Sequence, residues 1–372
     1  MKMEPPLKSN SLPTTFLHPF NQLNMKFLSF CLLALSLSIS CTAQTSIHEL
    51  RLGTKLVRLL DSTSAAKYIT FDKRDQYFER VTAAEMSIQM KKALQPGQTR
   101  ADLLPAYIEF LKKDVESFSA AESKFTATAI EKVYHTVAEV DKNIFPDTLI
   151  IIKTKGRHYG DGVYYTRENC IIIPANELSA GKTNPFTTTM YHELFHVYSR
   201  LNPAKRAKLY QLIGFKTVGL NQLDMPASLS ERVLYNPDGV DFAQKIDLTL
   251  GDGSKISAIP IIYAKTPGYK PGVEEFFGYL EFNLFQIEPI ANNRYKVVVK
   301  EDGYSSVLNL ESLTDFFKQI RDNTGYIIHP DEVLADNFSF IMVDKNGSKV
   351  SARFSPAGKQ LLTDMEFILK EK

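Results

Sequence analysis

Cysteine is scarce in this chain. Three cysteines among 372 residues cannot build the disulfide framework that staples small secreted scaffolds. Two of them, Cys31 and Cys41, lie in an N-terminal apolar stretch, leaving Cys170 alone in the body. A lone cysteine of that kind is expected as a small buried hydrophobe, not a ligand. An excess of charge is lacking too. Lys and Arg number 44 against 42 Asp and Glu. Lys2, Lys8, Lys26 and Glu4 all precede residue 44, so the remainder balances at zero. A neutral body offers no bulk attraction to nucleic acid or an acidic membrane surface. The sequence also has no internal repeat, low-complexity tract or glycine-rich phosphate loop. Its 44% hydrophobic and 23% charged residues are ordinary globular usage, which excludes a mostly disordered chain, a fibre or a multi-span membrane protein. The length suits about two domains, or one large domain with an insertion.

The N-terminal apolar run is short. Phe27 to Ile39 carries no charge and follows Met25-Lys26. Thirteen residues cannot span a bilayer as a helix, which takes about 20, but they suit the core of a signal peptide. Cys41 and Ala43 are small residues placed for a cut before Gln44, giving an exported protein, whether periplasmic, outer-surface or secreted. Lipidation of Cys41 is the alternative, and membrane attachment would come only through it. A buried N-terminal helix is the bland account. Residues 1–24 are polar and proline-bearing, unlike a segment ahead of a signal peptide, so Met25 is the expected start and residues 1–43 an extension plus signal peptide.

Four zones follow. Residues 46–142 read as helical. Leu103, Leu104, Tyr107, Ile108, Leu111, Val115 and Phe118 recur at helical spacing, and Ser119 with Glu122 forms a capping-box pattern ahead of a further helix. These stripes are expected as packing core. Within 143–235, Leu149-Ile150-Ile151-Ile152 reads as a buried strand, and Val163 to Ile173 as another, closed by Pro174. Asn184-Pro185 signals a helix start running to about Leu201, and Asn202-Pro203 a second helix stopped near Gly214. Residues 236–303 read as a β-rich insertion, with strands at 241–250, 257–263, 279–287 and 294–299 and a hairpin signal at Gly251-Asp252-Gly253. Residues 304–372 return to helices at 311–322, 330–343 and 356–370, with Pro330 and Pro356 at first-turn positions. The whole predicts an α+β fold.

The chemistry concentrates at His192-Glu193-Leu194-Phe195-His196. Four residues make just over one helical turn, so both imidazoles project from one face and can bind one metal ion. Zinc accepts imidazole readily and lowers the pKa of a water it holds toward neutrality. Glu193, beside the first histidine, is placed to take the proton. Chance spacing on an amphipathic helix is the competing account, but a chain with only seven histidines rarely matches this pattern by accident. A third protein ligand is needed. Glu332 and Asp336 share a helical face, so Glu332 can ligate while Asp336 accepts the far N–H of a ligand histidine. An acidic first turn favoured by the helix dipole would explain Asp331 and Glu332 equally. His329, the only histidine after His196, competes for the third position.

With Glu332 and Asp336, the His192–His196 motif resembles the gluzincin zinc metallopeptidases, the thermolysin-like side of the zincins. Tyr165 to Pro174 resembles the strand that precedes the active helix there. The resemblance covers about 147–215 and 324–343 only. Ser199 and Asn202 lack the glycine and histidine of the metzincin extension. The resemblance implies a zincin-like core, Zn2+ as cofactor, His192, His196 and Glu332 as ligands, and Glu193 as general base. The 136-position separation of His196 and Glu332 is much longer than in thermolysin-like enzymes, and the β-rich zone fills the gap. Tyr326 and His329 are candidates to stabilise an oxyanion, as are Tyr164 and Tyr165, with ordinary packing the competing account for each. Tyr165, Thr166, Arg167 and Asn169 lie on a stretch that could pair with an extended peptide substrate. His135 and His158 are expected as structural or exposed. Two functions remain: an exported zinc endopeptidase or aminopeptidase acting on peptide or protein, or a non-catalytic surface binding protein that keeps a zincin fold.

Overall fold

The computed structural model describes residues 48–238 and 244–371. The apolar stretch, Cys41 and the cut before Gln44 lie outside the described residues. Helices and sheets mix throughout, giving an α+β architecture, and no described helix is long and apolar enough to cross a membrane.

The first sheet contains β1 (Glu49–Leu52), β2 (Lys55–Leu59), β3 (Val115–Glu116), β4 (Thr148–Thr154), β5 (Tyr165–Arg167) and β6 (Cys170–Pro174). Its spatial order is β1-β2-β4-β6-β5, with β3 pairing the end of β4. The centre is parallel and both edges are antiparallel. Central parallel strands are covered on both faces and therefore read as continuous apolar runs. In β4, Leu149 and Ile151 face one core while Ile150 and Ile152 face another. Ile171 and Ile173 of β6 join the first core; Cys170 and Ile172 join the second. Cys170 is thus a buried apolar filler.

Five helices flank these strands before the motif helix: α1 (Ser62–Tyr68), α2 (Tyr77–Arg80), α3 (Ala83–Gln89), α4 (Arg100–Asp114) and α5 (Ala120–Ala138). The Ser119–Glu122 capping box forms at α5, and Thr99 with Asp102 builds another at α4. The start of this region corrects the all-helical expectation, because β1 and β2 form a hairpin around Gly53 at φ +62°. The alternation of Leu50 and Leu52 with Glu49 and Arg51 carries it, but four residues are too few to declare a strand.

A second correction concerns residues 163–173, which are two strands and not one. Glu168 turns the chain at φ +51°, a conformation costly for a non-glycine residue. Its carboxylate accepts the Lys73 and Arg74 amides at 2.6 and 2.9 Å, which offsets that cost.

α6 (Thr183–Leu201) and α7 (Pro203–Leu212) follow. α6 begins before Asn184, and no side chain caps it, so Asn184-Pro185 lies in its first turn instead of marking its cap. The second sheet runs β7-β9-β10-β11-β12-β8, built from β7 (Phe215–Thr217), β8 (Leu223–Asp224), β9 (Gln244–Thr249), β10 (Lys255–Ala264), β11 (Leu280–Ile290) and β12 (Arg294–Val297). A short helix, α8 (Ala227–Ser230), lies between β8 and β9. β7 and β8 belong to this sheet although they precede residue 236. Ile246, Leu248, Ala258 and Leu284 enter the core of the first sheet's helical face. The β-rich zone is therefore continuous with the body, and the described residues form one compact unit. The chain closes with α9 (Thr314–Ile320), α10 (Pro330–Lys345) and α11 (Pro356–Lys370), and both proline-led starts fall where expected.

A polar knot sits in the other core. The buried Glu85 carboxylate on α3 accepts from Tyr77 Oη at 2.6 Å, Gln89 Nε2 at 2.9 Å and the Tyr235 amide at 2.8 Å. Burial pushes its pKa up to about 7 despite those donors. The fold therefore favours its protonated form. Below about 4.5, the ordinary value, Glu85 is protonated folded and unfolded. Between 4.5 and about 7 the unfolded chain loses that proton first, so stability falls as pH rises through this window. Glu85→Gln should remove that slope. Urea unfolding of both proteins at pH 4.5 and 7.5 checks it, and parallel pH dependences would refute it.

Candidate metal centre

α6 and α10 bring the motif and the downstream acids together. The two helices pack through Phe195 on Phe338, ring centroids 5.5 Å apart. His192, His196 and Glu332 each offer one ligand atom, all within 4.8 Å of one another. Glu332 Oε2 lies 3.0 Å from His192 Nε2 and 3.3 Å from His196 Nε2. Each ring is held from behind. His192 Nδ1 donates to Asp336 Oδ1 at 2.9 Å and His196 Nδ1 to Asp331 Oδ2 at 2.7 Å. Carboxylates in that position fix the ring orientation and tautomer of a ligand histidine. Both Nε2 atoms are thereby turned toward the same carboxylate oxygen.

The carboxylates are braced in turn. Asp336 accepts from Thr324 Oγ1. Asp331 accepts from Ser199 Oγ at 2.6 Å and Tyr210 Oη at 2.8 Å. Asn236 Nδ2 donates to Glu332 Oε1. Electrostatics follow this crowding. Burial would lower the His192 pKa, but hydrogen bonds to Asp336 and Glu332 outweigh it and raise it to about 10. Burial opposes ionisation of Glu332, yet His196 and His192 pull its pKa well below the usual carboxylate value. Glu193 is pushed up to about 8, chiefly by burial and then by the neighbouring Asp238. A carboxylate poised near neutrality suits a general base.

Two buried atoms test whether the cluster fits an ion. His196 Nε2 and Glu193 Oε2 have no hydrogen-bond partner, and an unsatisfied buried polar atom is costly. A divalent cation coordinated by the three ligand atoms would satisfy the first, and a water held beside it the second. Two imidazoles and a carboxylate are a donor set that zinc accepts. The residues present therefore fit the ion.

The other candidates separate. Tyr326 lines the cleft with His192, Glu193, Glu332 and Asp336, its ring stacked 6.1 Å from His192. Tyr164 lines the same cleft, its hydroxyl donating to Glu177 at 3.3 Å. His329 sits elsewhere: it is the N-cap of α10, and its Nδ1 accepts the Asp331 amide at 3.1 Å. It is neither in the three-ligand group nor among the residues lining this cleft, which corrects both the ligand and the oxyanion expectations for it. His158, buried between Asp114 and Tyr165, makes a hydrogen bond with each.

The four strand residues are structural. β5 is an edge strand, and Asp238 reaches it. The Thr166 amide and hydroxyl both donate to Asp238. Tyr165 is buried and bonded to His158. Arg167 donates to Ile69 O at 2.6 Å and lies over the Tyr77 and Phe78 rings. Asn169 donates to Thr148 O at 2.7 Å and accepts from Tyr68. The Thr166 amide, which an edge-pairing peptide would use, is already taken by Asp238, as covered edges are.

Residues with a role here that the motif does not announce are Asp331, Asn236, Asp238 and Arg200. Asp331 follows a proline-led helix start, where the dipole alone explains an acid. Asn236 and Asp238 arrive from a loop with no pattern of its own. Comparison with family models, with characterised proteins and with solved structures found no match to this chain.

Proposed function

We propose that this chain is an exported zinc-dependent peptide hydrolase with a zincin-like catalytic core. The observation that carries the proposal is the convergence of His192, His196 and Glu332 beside buried Glu193, whose Oε2 has no hydrogen-bond partner. Zinc held by those three side chains would act as a Lewis acid and lower the pKa of the hydrolytic water. The remaining chemistry belongs to the chain. Asp336 and Asp331 hold the two imidazoles in their ligating tautomer. Glu193 accepts the water's proton and returns it to the leaving amine. Tyr326, on the cleft wall, is the donor available to the developing oxyanion. The N-terminal apolar segment supports export, with Cys41 as the point of any lipid attachment.

The purified protein should bind about one zinc per chain and hydrolyse members of a quenched peptide library. His196→Ala should abolish the zinc, and Asp331→Ala should weaken it by roughly 10–100-fold, measured by chelator competition. Equal zinc in the wild type and His196→Ala would refute the site. Zinc at full stoichiometry with no hydrolysis of any peptide would refute the catalytic assignment.

A further inference from the structure

The cleft that holds His192, Glu193 and Glu332 has a volume of about 440 Å³. A second, smaller cavity of about 50 Å³ opens beside it. Tyr164, Asp238, Phe277 and Tyr326 line both, so the two adjoin. Their walls differ in kind. The cleft is rich in carboxylates, whereas the side cavity is mostly apolar, walled by Leu234, Ile262, Leu280 and Ile328 together with aromatic rings, with Asn236 and Asp238 also in its lining. Phe277 and Tyr326 stand at the junction, 52% and 39% exposed. Exposed aromatic rings at the mouth of an apolar recess are an arrangement that buries part of a ligand. Leu234, Ile262, Leu280 and Phe277 come from the second sheet and the segments beside it, not from the metal-binding helices.

We propose that this recess is a specificity pocket for a short aliphatic side chain, of alanine to valine size, flanking the bond that the metal centre attacks. The proposal rests on the peptide-hydrolase function above and names its substrate class. Three observations select the occupant. The pocket shares walls with the cleft, so a residue next to the reacting bond is the group that reaches it. Its walls are mainly aliphatic and aromatic, so an apolar side chain gains most by entering. Its volume is about a third of the roughly 150 Å³ that admits a benzene ring, so phenylalanine and tyrosine are excluded by size. The β-rich zone between His196 and Glu332 thus supplies walls that limit what the metal centre can cut.

The test uses the full mature chain, loaded with zinc, and peptides varied through Ala, Val, Leu, Phe and Lys on each side of the scissile bond. Val or Ala should exceed Phe in kcat/KM by roughly 10–200-fold at one of the two positions, the range that a poorly matched apolar group costs. Leu280 is half-buried and outside the catalytic machinery, so its variants keep the fold. Leu280→Ala should move the preference toward Leu and Phe, and Leu280→Phe should reduce turnover of Val peptides. Peptide binding to Glu193→Gln, measured by calorimetry, reads the pocket without turnover and should show the same order. Hydrolysis with no side-chain preference, or with a preference that both Leu280 variants leave unchanged, overturns the pocket and leaves the hydrolase function standing. Absence of hydrolysis overturns the hydrolase function. In that case, equal binding of Val and Phe peptides, or binding of neither, overturns the pocket as well.

Discussion

Glu193→Gln should lower peptide hydrolysis by about 10²–10⁴-fold, the contribution of a positioned general base, while the zinc content stays at the wild-type level. The two halves of this result have separate causes. Glu193 is not one of the three ligands, whose atoms come from His192, His196 and Glu332. Glutamine keeps the size of the side chain and so keeps the packing of α6. What it loses is basicity. The Glu193 carboxyl is pushed up to about 8, chiefly by burial, so its charged form is not stabilised by the fold and an amide replaces it without leaving a broken ion pair. Stability should therefore change little. The variant also separates the two functions left open by the motif. A binding protein that merely keeps the fold would be indifferent to Glu193, because a structural metal site needs no base. Equal hydrolysis by the zinc-loaded wild type and variant would show that the proton goes elsewhere.

The parts of the site legible in the sequence are those with local spacing. His192 and His196 are four apart on one helix, and Glu332 and Asp336 are four apart on another. Periodicity therefore places each pair on one face, and α10 starts at Pro330 as its first-turn proline requires. Four of the six strands of the second sheet, β9 to β12, are legible for a similar reason, since Gly251-Asp252-Gly253 marks the turn between β9 and β10; β7 and β8 are too short to declare themselves. What escapes depends on distant contacts. The reversal at Glu168-Asn169 holds an asparagine, but the positive φ falls on Glu168, a residue type that announces no turn; it is held by the Lys73 and Arg74 amides, more than 90 residues away in the chain. Asp331 escapes because its partners, His196, Ser199 and Tyr210, lie on α6 and α7. His329 is drawn to the metal by its residue type, but its position before Pro330 makes it a cap, with its ring nitrogen turned to the helix backbone.

Arg200→Met should destabilise the fold by about 3–5 kcal/mol, the cost of removing one partner from a buried ion pair. Arg200 lies one helical turn beyond His196, and its side chain is only 3% exposed. Its guanidinium pairs with Asp75 and donates to Thr166 Oγ1 and Pro237 O, each at 2.9 Å, and to Glu168 O at 3.3 Å. Methionine fills much of the same volume and supplies none of these donors. Asp75 would lose its cation, and buried carbonyl oxygens would lose an N–H. The consequence extends to the metal. Residues 233–238 are tied down by Arg200 at Pro237 and Asp238, by Thr82 at Val233 and by Glu85 at Tyr235. That segment carries Asn236 to Glu332 and Asp238 to the neighbourhood of Glu193. Loosening it should weaken zinc binding although no ligand has changed. Urea unfolding measures the first effect and chelator competition the second. If Arg200→Met unfolds within 1 kcal/mol of the wild type, a threshold below the ~3 kcal/mol floor for such pairs, the guanidinium is not what holds the segment. If stability falls but zinc affinity does not, the segment is held there independently of the metal centre.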